Sequence, residues 1–174
     1  SLVLNYGSVY DNVILVAGNA LTLNAWNHVL VTFDGGTTGN DPLDSALYYG
    51  RFSMVVDGVT LSPIGVASNS GYTGVISGTA GQYGGLYRIG KASNVNNNHF
   101  GGVINQVAIW DTDQTANAAT IYNSGATQDL SLLGDAPDHV YEIGSSVTTI
   151  TDSTGSADLT GYNLALSDIV TDAP

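Results

Sequence analysis

The chain has 174 residues, with 15 acidic side chains against 3 basic ones and a formal charge of −12. With Arg51, Arg88 and Lys91 as its only Lys or Arg, it cannot neutralise a run of phosphates, and nucleic acid is excluded as a partner. No apolar run approaches the roughly 18 residues of a membrane span, so insertion in a membrane is not expected, and zero Cys excludes disulfides and thiolate metal sites.

Fourteen of the acids are Asp and one, Glu142, is Glu. Asp serves turns and caps whereas Glu favours helix, so with 22 Gly this balance points to many turns and little helix. Short apolar runs between Gly, Asn and Asp clusters are the signal of an all-β sandwich or barrel. Asn12–Gly18 and His28–Gly36 read as an antiparallel pair, with "ALTLNAW" between them partly extended. Tyr48–Pro63 reads as a hairpin, because Asp57-Gly58 supplies turn residues that tolerate positive φ. Gly84–Ala92 is a further strand. "FGGVINQVAIWD", from Phe100 to Asp111, is the longest, with mixed faces that suit a central strand. One short helix follows near 113–123. Asp111, Thr112 or Asp113 can cap it, Gly125 can end it, and Ile121 and Tyr122 are its anchors onto the sheets. "HVYEIG" and "DLTGYNLAL" are weaker strands in the terminal stretch 135–174.

Four of these segments in order, "AWNHVLVTFDGG", "RFSMVVDGV", "LYRIGKA" and "HFGGVINQVAIWDTDQTANAATIYNSG", resemble the laminin-G-like, concanavalin-A-like jelly-roll family over roughly Ala25–Gly125. The resemblance implies one antiparallel β-sandwich domain over 1–174, with the helix closing one end. In that family several strands precede the Trp-x-His-Val segment, whereas Trp26 follows only 25 residues here. The resemblance therefore implies that the usual N-terminal strands come from upstream sequence or from a neighbouring chain, as open sheet edges allow. The terminal stretch from Asp138 resembles tails of such modules in bacteriophage and marine viral structural proteins.

Catalysis is not expected. Glycosidases of the related fold carry paired carboxylates in a Glu-x-Asp-x-x-Glu strand, a motif this chain lacks, and Glu142 has no acidic neighbour in sequence. No Gly-x-Ser-x-Gly elbow occurs, and His28, His99 and His139 lie too far apart for zinc spacing. No cofactor is required. Calcium is the ion to consider, because Asp34, Asn40, Asp41 and Asp44 supply hard oxygens in one loop, although a plain polar turn around Pro42 accounts for them as well. A glycan platform would use Tyr72 and Tyr83 with Asn94, Asn96, Asn97, Asn98 and His99. The same Asn run also reads as a solvated loop.

These features lead to a noncatalytic surface-attachment module, a virion decoration, fibre or adhesin component located on a virion or extracellular surface. Its expected partners are other chains of a larger assembly, as a homo-oligomer or against capsid or tail neighbours, and a host glycan at the long loops. The alternatives are a free-standing carbohydrate-binding lectin, with or without calcium, and a glycoside hydrolase.

Overall fold

Strands are the main regular structure among the residues that the computed structural model describes, which are 13–16, 21–34, 36, 51–61, 64–67, 89–90, 100–144 and 146–170. These residues form small antiparallel sheets with one short α-helix, so the protein is mainly β. The chain divides into two compact units, one from residues 1–78, 112–127 and 174, the other from 79–111 and 128–173.

The first unit is organised by the Asp57-Gly58 turn. Both residues have positive φ, +49° and +77°, the geometry of a two-residue hairpin turn whose twist matches its strands. It joins β3 (Phe52–Val56) to β4 (Val59–Leu61), with Val56 opposite Val59. On its other side β3 pairs antiparallel with β2 (Val29–Phe33), Leu30 opposite Val55 and Thr32 opposite Ser53. Backbone bonds Asp57 N to His28 O and Asp34 N to Arg51 O carry that ladder one step past each end. A separate pair joins β1 (Val13–Val16) to β5 (Ile64–Ala67).

The pairing of the first two strands therefore differs from the expectation. The run at 12–18 pairs with β5, and the run at 28–36 pairs with β3. The tight hairpin explains the second choice. It places β3 beside β4 and leaves the far edge of β3 for β2, which offers a five-residue ladder. Between these strands, the described part of "ALTLNAW", residues 21–26, forms a turn: the Asn27 side chain accepts from Thr22 N and donates to the carbonyls of Thr22 and Ala25.

Burial follows from position in this sheet. β2 alternates, with Leu30 and Thr32 buried and Val29 exposed, whereas the middle strand buries Met54, Val55 and Val56 in succession. The helical segment docks on the face that carries His28, Leu30 and Thr32. It begins as a 3-10 turn (Thr115–Asn117) and continues as α1 (Ala118–Tyr122). Thr115 Oγ1 meets Thr32 Oγ1 at 2.6 Å, and Ile121 is buried. Tyr122 lies over the hairpin turn, so a Cβ on Gly58 would stand 2.6 Å from its ring. Gly58→Ala is expected to cost about 1–3 kcal/mol, since it combines a strained φ with that clash. Urea unfolding measures it, and Gly134→Ala, with open space around it, is the neutral control.

The helix ends near 123 as expected, but Asn123 rather than Gly125 makes the stop. Asn123 adopts the left-handed conformation at φ +49°, Ser124 and Gly125 follow with positive φ, and Asn123 Nδ2 donates to Ala126 O. Asn tolerates this conformation, so the chain turns before it reaches Gly125.

In the second unit β6 (Gln106–Ile109) pairs antiparallel with β7 (His139–Glu142), Val107 opposite Tyr141. β8 (Thr149–Ile150) pairs with β9 (Leu159–Thr160), and an antiparallel bridge joins Tyr141 of β7 to Asp152, just after β8. Leu130, Val140, Tyr141 and Ile150 form its buried core. The segment expected as the longest strand contributes only four strand residues. Its ladder can be no longer than β7, which turns off at Gly144 with φ +111° after one further bond, Ile143 N to Asn105 O. Upstream, Gly101, Gly102 and Val103 are exposed.

Candidate functional site

The chain uses its aspartates in a consistent way. Asp34 accepts from the backbone N–H of Gly36, Asp57 from His28, Asp113 from Thr115 and Asp129 from Ser131. Asp138 accepts from Asp111, Asp152 from Val140, Gly155 and Ala157, Asp158 from Asp152, and Asp168 from Ala165. Half of these bonds reach two or three residues along the chain, a distance that suits the short Asp side chain. The excess of Asp over Glu thus has a structural use: carboxylates take the place of a backbone partner where strands give way to turns. At the helix entrance Asp113 makes this contact, and the Thr115 hydroxyl and amide hold its pKa down.

The most developed cluster is the loop Asp152–Asp158 with β7. The Asp152 side chain is fully buried. Oδ1 accepts from Val140 N at 3.1 Å and Gly155 N at 3.0 Å, while Oδ2 accepts from Ala157 N at 3.1 Å and meets His139 Nδ1 at 2.6 Å. Burial pushes the Asp152 pKa up. The bonds from His139, Gly155, Ala157 and Val140 outweigh it and hold the carboxyl well below its ordinary range. An ionised Oδ2 only accepts, so His139 carries a proton on Nδ1. The His139 ring stacks on Tyr141, with centroids 6.3 Å apart, and the Tyr141 hydroxyl donates to Ala157 O at 3.0 Å. Burial, then the charges of Asp152 and Asp158, raise the pKa of that phenol. Gly155 has to be Gly here, because a Cβ would fall 2.4 Å from Asp152 Oδ2 and 2.7 Å from Asp138 O.

A His–Asp pair is also two thirds of a nucleophilic triad. The hydroxyl next to Asp152 in sequence, Ser153 Oγ, donates to Val140 O and is engaged in holding the loop. What the cluster visibly does is close the turn between β8 and β9 and fasten it to β7.

Of the calcium set, Asp34 is described. Its Oδ2 pairs with Arg51 Nη1 at 3.0 Å, which places a guanidinium where a cation would sit. Asn40, Asp41 and Asp44 lie outside the described residues. So do all seven residues of the glycan platform, Tyr72, Tyr83, Asn94, Asn96, Asn97, Asn98 and His99. Among the described residues no group of three or more His, Asp or Glu side chains could hold a metal ion. Glu142 is bonded through Oε1 to Gln106 Nε2 across the β6–β7 ladder. Trp26 and Trp110 are half-buried, and Trp110 Nε1 donates to Asp135 O at 3.0 Å.

Residue spacing did not single out the Asp152 cluster. Its available signal is "TDSTGSAD", a Gly and small hydroxyl residues between two Asp, which is the composition of a side-chain-closed turn. Compared with protein-family models, curated proteins and solved structures, the chain gives no significant match to any of the three.

Proposed function

We propose that this chain is a noncatalytic β-sandwich module of the concanavalin-A-like jelly-roll type, acting in surface attachment as an outer component of a virion or similar assembly. The observation that supports it most is the employment of the carboxylates. In a hydrolase of related fold, paired acids face a cleft and substrate. Here eight of the eleven described acids accept from backbone N–H groups and so stiffen turns between short strands. That suits a rigid scaffold whose loops and sheet edges meet other molecules. The acidic charge favours solubility and disfavours nucleic acid, and the ordered motifs over roughly Ala25–Gly125 supply the likeness to the family.

Mass spectrometry of purified intact particles, with immunogold labelling by antibodies raised against the chain, tests this proposal. Peptides at stoichiometric abundance and label on the particle exterior are the expected result. A chain found only free in solution, binding glycans on an array in a chelator-sensitive way, would replace it with the lectin alternative.

A further inference from the structure

His28 stands where three elements of the first unit meet. Its N–H donates to Asp57 Oδ1 at 2.8 Å, and its carbonyl accepts from Asp57 N at 3.0 Å, so it is fastened to the β3–β4 turn. Its ring lies against Tyr122 of α1, with centroids 5.5 Å apart and planes at 48°. Tyr122 in turn covers Gly58. His28 Nδ1 is buried and has no hydrogen-bond partner among the described residues. A neutral imidazole tolerates this by leaving Nδ1 as a bare acceptor. Protonation would place an N–H and positive charge at a buried atom with no acceptor, which is costly.

We infer that His28 is an acid-sensitive latch, holding Tyr122 and α1 on the β2–β3–β4 sheet while neutral and loosening them once protonated. Two groups on the packed elements face it among the described residues. From the hairpin turn, the Asp57 carboxylate favours the imidazolium; from α1 comes the Tyr122 ring. Desolvation outweighs Asp57 and leaves the His28 pKa below its ordinary 6.5. The unfolded or released form therefore takes the proton first as the pH falls. The contribution of neutral His28 is complete above pH 6.5 and is lost as the pH drops through the lower folded value. The Thr32–Thr115 contact contains no group that titrates in this range, so the loosening centres on the C-terminal end of α1. The latch would make a surface module responsive to an acidified compartment, and it stands whether or not the attachment proposal holds.

Amide hydrogen exchange by NMR tests it, on the full chain and on His28→Gln, between about pH 7.5 and 5, corrected for intrinsic exchange rates. In the unsubstituted chain, protection of the Asn123 amide, which is bonded to Ala119 O, is expected to fall about tenfold, while Met54 and Val55 hold theirs. In His28→Gln the Asn123 profile should be flat. An equal fall in both proteins, or no fall in the unsubstituted chain, overturns the latch. Should His28→Gln fail to fold, the imidazole proton signal of the unsubstituted chain decides: titration below pH 6.5 supports the latch, and titration at or above it overturns it.

Discussion

Asp152→Ala is expected to lower folding stability by about 3–5 kcal/mol, the range for removing one partner from a buried charged network. The side chain is fully buried, and its loss strands the N–H groups of Val140, Gly155 and Ala157 as well as His139 Nδ1–H. Asp152→Asn should recover little. With one carboxylate oxygen replaced by NH2, a donor must face either the N–H groups at Oδ1 or those at Oδ2. The effect also depends on pH. Asp152 is more acidic folded than unfolded, so its contribution is complete above the ordinary carboxylate value of 3.8 and is lost as pH falls through the lower folded value. Urea midpoints at pH 7 and in acid measure both statements. The gap between the unsubstituted chain and Asp152→Asn should narrow in acid, and a loss under about 1 kcal/mol at pH 7 would contradict the network.

Met54→Ala is the second large expected loss, about 2–5 kcal/mol. Met54 is 0% exposed and occupies the middle strand of its sheet, opposite Val31 on one side and Leu61 on the other. Truncation removes contacts with neighbours that backbone ladders hold in place, so the space closes only in part. Val59→Ala is the internal comparison. Val59 follows the same turn on the edge strand β4 but is 62% exposed, and its truncation should stay within about 0.5 kcal/mol. Denaturant unfolding of the two variants gives the ratio. Similar losses at both positions would mean that the middle strand is not covered on both faces.

These expectations separate what is legible in the sequence from what is not. Asp57-Gly58 announces its turn because two adjacent residues suffice to allow positive φ. Ile121 and Tyr122 were readable as anchors because a helix this short has to be held by its apolar side chains. Strand partners were not readable in the same way. The runs at 12–18 and 28–36 are chemically alike, and period alone does not say that one pairs with β5 and the other with β3. The run Phe100–Asp111 reads longer than its strand because strand length depends on the partner, and Gly144 ends that partner. The Asp152 cluster was hidden for a further reason. His139 and Asp152 are 13 residues apart, and only the return of the chain after β8 brings the carboxylate beneath Val140.

Carboxyl-detected 13C NMR titration of the aspartate side chains tests the structural employment of the carboxylates most directly, since ionised oxygens that accept backbone N–H bonds resist protonation. Asp113 and Asp152 should titrate below the ordinary 3.8, with Asp152 displaced furthest. Ordinary or raised values at both positions would mean that these side chains are not holding the backbone, and the scaffold account would fail.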